Sequence, residues 1–171
     1  DSIEDACHAL GSYYSVKEKL KVGDNKFSDF SVFSFHPVKV ITTGEGGMVS
    51  TNNSEHASKL QSLRWFGIDK DTHARSKEKY SWYYEINDLG LKANMNDIFA
   101  SIGLVQLTKL ERINSLKREI AEKYNTALSK IPEVRPPVER EWATRVYWNY
   151  AIYCEERDKL SDFLADNGIA T

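Results

Sequence analysis

An α/β fold follows from three features of this 171-residue sequence. Phe27, Phe30, Val32 and Phe33 carry the aromatic and β-branched bias of a buried strand and lead into a lysine, Lys39, set beside Pro37 and the cluster Gly44, Gly46 and Gly47. From Ile98 to Leu128, apolar residues recur at helical spacing. Pro132, Pro136 and Pro137 then break the pattern, and beyond them one more strand-like and one more helix-like stretch open a second, smaller α/β unit.

Taken in order, Ile3 to Asp5 reads as the end of a strand, which puts Asp5 where open α/β sheets collect ligand groups. Tyr13 to Lys21 is a polar excursion, a hairpin or surface loop ahead of the strand at Phe30. Met48 to Thr51 reads as a short strand closed by Asn52 and Asn53. Ala57, Leu60 and Leu63 recur at helical spacing behind an N-cap at Asn53 or Ser54, in a packing helix that ends at Gly67. Ile68 to Lys79 is charged and aperiodic, and a long loop is expected there. Trp82, Tyr83 and Tyr84 could stack on a sugar or base, but such clusters more often belong to a core or an interface. Asn96 is the expected N-cap of an amphipathic helix with Ile98, Ile102 and Val105 on one stripe, continuing through Leu107, Leu110, Ile113 and Leu116 to Leu128. Val146 to Cys154 reads as a strand, and Asp158 to Asn167 as a helix capped by Gly168.

Composition narrows the function classes. A formal charge of −2 with no basic face argues against nucleic-acid or anionic-membrane binding, so any phosphate recognition must be local. The two cysteines, Cys7 and Cys154, lack zinc-site spacing and are expected as buried thiols of a reduced cytoplasm. No metal site is expected from that spacing, and since no apolar run reaches membrane-spanning length, a cytoplasmic protein is expected. The chain starts at Asp1 and stops just after a helix end, as an internal piece of a longer protein would.

Lys39 is the first chemical candidate. A lysine held by a proline turn and a glycine loop becomes a nucleophile for aldehydes and ketones if its amine is desolvated or set near another cation, and it then forms a Schiff base. The glycines match neither a dinucleotide fingerprint nor a Walker loop, which argues against nucleotide hydrolysis. Read alone, Asp5 is better explained as a turn or N-cap aspartate, His8 as a satisfied polar residue, and Ser34 as a hydroxyl bonding backbone at a strand end.

Several ordered blocks carry a resemblance that changes these weights. Glu4-Asp5-Ala6-Cys7-His8-Ala9-Leu10-Gly11, Ser34-Phe35-His36-Pro37-Val38-Lys39, Gly44-Glu45-Gly46-Gly47, Leu63-Arg64-Trp65-Phe66-Gly67 and Met95-Asn96-Asp97 through Gln106-Leu107 together resemble the DegT/DnrJ/EryC1/StrS family of pyridoxal-phosphate-dependent sugar aminotransferases. The resemblance implies a fold-type I architecture: residues 1–130 would be the C-terminal part of the large cofactor-binding domain with its long connecting helix, and residues 131–171 the start of the small domain.

It also implies an enzyme that aminates a nucleotide-linked keto-deoxysugar with glutamate, for cell-surface polysaccharide or secondary-metabolite sugars, as a homodimer with shared active sites. Lys39 would hold pyridoxal 5'-phosphate and move the substrate proton, Asp5 would pair with the pyridine nitrogen, His8 would face the ring hydroxyl, and Ser34 would bind the phosphate. Lys92 stands where the family often has an asparagine contacting the other subunit's cofactor phosphate, a role that a lysine can serve as a point charge. A dehydratase branch of the family has histidine in place of Lys39, so the lysine argues against it. A non-catalytic or sensory cofactor-binding member, or an inactive piece acting as an interaction module, remain the rival readings.

Overall fold

The computed structural model describes residues 1–70 and 72–171. In chain order the elements are β1 (Ile3–Asp5), β2 (Tyr13–Ser15), β3 (Leu20–Lys21), β4 (Phe30–Ser34), β5 (Gly47–Ser50), α1 (Ser54–Leu63), α2 (Thr72–Ser76), α3 (Asp97–Leu107), α4 (Leu110–Leu128), β6 (Val134–Arg135), β7 (Tyr153–Cys154) and α5 (Arg157–Asp166). A three-stranded sheet of order β1-β4-β5 forms the centre, and β2-β3 and β6-β7 are separate two-stranded sheets.

In β4, the inward positions Ser31 and Phe33 alternate with half-buried neighbours, as period-two patterning requires. Phe33 joins Ala6, Phe35 and Ile41 in the core, with Leu10, Val22, Met95, Leu110 and Ile113 packed around it. Strand β1 runs parallel to β4 with Asp5 opposite Val32. Strand β5 is antiparallel to β4, with Ser34 opposite Gly47, so the sheet is mixed. The reason is length: residues 35–46 turn the chain straight back, whereas a parallel pair needs a crossover long enough to span the sheet.

Helix α1 is capped by Asn53, whose Oδ1 accepts from the amides of Glu55 and His56. The expected loop after Gly67 contains the short helix α2; Asp71, within that stretch, lies outside the described residues. Trp82, Tyr83 and Tyr84 are surface residues, not core.

Two expectations for the long helical region fail. The helix is broken at Thr108, whose hydroxyl donates to the Val105 carbonyl at 2.8 Å while the Lys109 amide donates to the Gln106 carbonyl three residues back at 3.0 Å, tightening the last turn of α3. The stripe Ile98, Ile102 and Val105 faces outward, at 71%, 40% and 55% exposure. The packed face of α3 is instead Phe99 and Gly103, lying against Gly44 and Thr43; a Cβ on Gly103 would sit 2.9 Å from the Thr43 methyl. Around most of its circumference α3 is apolar, so hydrophobic spacing alone could not tell which face turns inward.

The expected strand 146–154 shrinks to Tyr153–Cys154. Val146 and Tyr147 are buried at consecutive positions, which a strand cannot arrange against one core. That segment folds back on the start of the chain: Tyr13 and Thr144 exchange main-chain bonds of 2.8 and 3.0 Å, and the Ser12 hydroxyl accepts from the Val146 amide at 3.1 Å. Cys7 and Cys154 are both free and half-buried, where two buried thiols were expected. No described helix is long and apolar enough to cross a membrane.

Candidate active site

The loop that joins β4 to β5 holds Lys39 by its neighbours. The Phe35 carbonyl accepts from the Thr43 amide and from the Thr42 hydroxyl, both at 3.0 Å, and the Phe35 amide donates to the Gly46 carbonyl at 2.8 Å. Val40 and Ile41 are buried directly after the lysine, so the loop is pinned to the core on one side. The Lys39 amide closes a tight turn onto the His36 carbonyl at 2.9 Å. Gly46 has φ 148°, and a Cβ there would meet Met95 Cε at 2.7 Å and Thr43 Oγ1 at 2.8 Å, so the return of the loop requires glycine.

Three of the expected site residues gather at the carboxyl end of β1. The half-buried Lys39 places its Nζ 2.6 Å from Nε2 of the exposed His8. With the lysine as an ammonium, Nε2 of His8 must be the acceptor, which puts the imidazole proton on Nδ1. Asp5 ends β1, and its Oδ1 accepts from the Cys7 amide at 3.1 Å. The Cys7 thiol and then its amide hold the Asp5 carboxyl below its ordinary 3.8, with His8 and Lys39 adding smaller electrostatic help. The Cys7 thiol is pushed above its ordinary 9.0 by its bond to that carboxylate and by partial burial.

A residue that the sequence did not single out completes the cluster. The indole of Trp148 stacks on the His8 ring, centroids 3.9 Å apart and planes 11° from parallel, with Lys39 Nζ 4.8 Å from the indole centroid. A cleft of about 380 Å³ opens here, lined by Asp5, His8, Ser12, Arg145 and Trp148 among others. Nothing local marks Trp148 in the sequence, since it sits between other aromatics in a run that reads as a strand.

Ser34 closes β4 at the foot of the lysine loop, and its hydroxyl accepts from the His36 amide at 3.4 Å, leaving its own proton to give. His36 pairs weakly with Glu45 at 4.0 Å. Lys92 is not brought to this cluster: its Nζ bonds Asn94 Oδ1 at 2.6 Å and sits 3.6 Å from the Trp65 ring centroid, across a bridge between Trp65 and Lys92. A larger concavity, about 820 Å³, is an apolar groove along β5 and α1, and it carries none of the expected site residues.

The donor set suits pyridoxal phosphate. Asp5, ionised over the neutral range, matches a protonated ring nitrogen; the Lys39 amine matches an aldehyde; His8 and Ser34 match a ring hydroxyl and a phosphate. Among the described residues, no group of three or more metal-ligating side chains occurs.

Known proteins share this arrangement of elements. The sequence model of the DegT/DnrJ/EryC1/StrS aminotransferase family matches residues 2–171. An uncharacterised protein of Methanocaldococcus jannaschii is 44% identical over 145 residues, covering 82% of this chain and 36% of that protein. Putative sugar aminotransferase Spr1654 from Streptococcus pneumoniae, in its PMP form, superimposes with a TM-score of 0.84 at 30% identity, over 98% of this chain and 43% of its own; its PLP form has also been solved and matches with a TM-score of 0.82. PseC of Helicobacter pylori, an aminotransferase involved in the biosynthesis of pseudoaminic acid, matches with a TM-score of 0.82 at 31% identity over 97% of this chain and 43% of its own. The chain thus spans about two fifths of the length of these relatives, and its mixed α/β architecture is that of fold-type I sugar aminotransferases. It belongs to the DegT/DnrJ/EryC1/StrS aminotransferase family.

Proposed function

We propose that the full-length protein is a pyridoxal-phosphate-dependent aminotransferase that converts a nucleotide-linked keto-deoxysugar to an aminosugar with glutamate as donor. The observation that carries this reading is Lys39 on an anchored loop, its Nζ 2.6 Å from His8 at the strand end that presents Asp5. When bound, pyridoxal phosphate supplies an electron sink for the negative charge that develops at the carbon bearing nitrogen.

The residues divide the remaining work. Lys39 holds the cofactor's carbonyl end and moves a proton at Nζ as general base and then acid. Asp5 keeps a proton on the ring nitrogen, and the bonds from Cys7 favour the ionised carboxylate that this requires. His8 faces the ring hydroxyl, and Ser34 donates to the phosphate. Lys92, away from this cluster, serves the phosphate of the neighbouring subunit in a homodimer that works in the cytoplasm. Residues 1–130 would belong to the large domain and 131–171 to the small one.

Glutamate added without a sugar acceptor tests the reading. One equivalent of 2-oxoglutarate per active site is expected, and a nucleotide-linked keto-sugar added afterwards should be aminated. Lys39→Ala should lose about 10²–10⁴-fold in rate from the missing proton transfer alone. Cofactor binding with no 2-oxoglutarate would point to a sensory, non-catalytic member of the family.

A further inference from the structure

We infer that Trp148 is a positioning residue for the Lys39–His8 pair, so that a residue beyond the proline break sets the geometry of the site at the start of the chain. The inference rests on the aminotransferase reading, because it assigns Trp148 a part in how Lys39 works. Two contacts carry it, one to each member of the pair.

The first contact is to the lysine's backbone. The indole Nε1–H donates to the Val38 carbonyl at 2.7 Å, which is the carbonyl of the peptide that ends in the Lys39 amide. With the Lys39 amide bonded to His36, that peptide is held on both sides, and the start of the lysine side chain is fixed. The second contact is to the imidazole. A histidine ring ordinarily turns about its terminal torsion with little preference, but the indole lying 3.9 Å away and 11° from parallel restricts His8 to orientations that share its plane. One of them, the orientation present here, aims Nε2 at Lys39. The electron-rich face of the indole also lies 4.8 Å from the Lys39 ammonium, which it attracts.

Trp148 can do this because the residues flanking it are held from several sides. The Arg145 carbonyl accepts from Arg118 Nε on α4 at 3.2 Å, the Val146 amide donates to Ser12, and the Tyr150 hydroxyl bonds Asn125 on α4 at 2.6 Å. A side chain on so constrained a segment transmits position, where one on a free loop would only follow.

The test uses the full-length protein and two variants. Trp148→Phe keeps a ring to stack and loses the N–H; Trp148→Leu loses both. In the cofactor-free proteins, carbon-bound proton shifts of a selectively labelled His8 report the stacked ring, and the rate of reaction of Lys39 with an amine-modifying reagent across pH reports the pair. The wild-type and Phe proteins should show His8 shifted by the ring, and the Leu protein should not. The pH profile of Lys39 labelling should move in the Leu variant. In the loaded enzymes, kcat should fall about 10- to 100-fold in the Leu variant and less in the Phe variant, with KM for glutamate held within about twofold, as displacement of a reacting group predicts.

Unchanged His8 shifts, labelling profile and kcat in Trp148→Leu would overturn the inference. If the Leu variant does not fold, the Phe variant decides: wild-type kcat and labelling there, with the N–H removed, would also overturn it. Failure of the underlying reading looks different, since wild-type protein would then take no pyridoxal phosphate at Lys39.

Discussion

Asp5 and Cys7 give the sharpest residue-scale expectation, because each shifts the other. The thiol and amide of Cys7 stabilise the Asp5 carboxylate, so its pKa in the folded protein lies below 3.8, while the same contact pushes the thiol above 9.0. A depressed carboxyl contributes stability that is fully present above its unfolded value and is lost as pH falls through the folded one. Carbon-detected titration should therefore place the Asp5 midpoint below 3.8, and Asp5→Asn should lower the pH at which Cys7 is alkylated. A Cys7 profile unmoved by Asp5→Asn would contradict the coupling. At this scale Asp5, His8, Ser34 and Lys39 stand out in the sequence through the ordered blocks that resemble the family, and the fold brings His8 to Lys39 and both near Asp5. Trp148 was not legible: its partners lie 110 residues away at Val38 and farther at His8, a separation that local pattern cannot encode.

Elements were read best where a cap or a short-range turn defines them. Asn53 and Asn96 both cap as their positions predict, since an Asx side chain ahead of a helical period satisfies free amides. Asn53→Ala should cost about 1 kcal/mol in a denaturant melt. The loop carrying Lys39 makes a stronger demand. Gly46→Ala forces a Cβ onto Met95 and Thr43 at a positive φ, and should cost about 1–3 kcal/mol while shifting Lys39. A melt indistinguishable from wild type would show that the loop is not held as described. The elements misread, α3 with α4 as one helix and 146–154 as one strand, share a cause. Apolar spacing does not record a hydroxyl bonding back to a carbonyl at Thr108, nor a segment held by side chains of another helix.

At the scale of the molecule, the chain leaves large apolar surfaces in water. Ile98, Leu104, Val105 and Leu107 of α3 are all at least half exposed, and β5 presents Met48 and Val49 beside an apolar groove. Patches of that kind are covered in working proteins. The 171-residue chain expressed alone should therefore self-associate, visible as scattering that grows with concentration; a monomeric, cooperative melt would contradict this. The fold class was legible because strand and helix periods differ and the proline break is abrupt. The mixed direction of the sheet was not, since it depends on whether one twelve-residue loop turns back or crosses over.

Borohydride reduction of the full-length protein in the presence of pyridoxal phosphate, followed by peptide mass mapping, tests the central claim most directly. Label confined to the peptide carrying Lys39, and lost in Lys39→Ala, is the predicted result. A folded protein that takes no label, or takes it at another lysine, would contradict the assignment of Lys39 and the aminotransferase reading built on it.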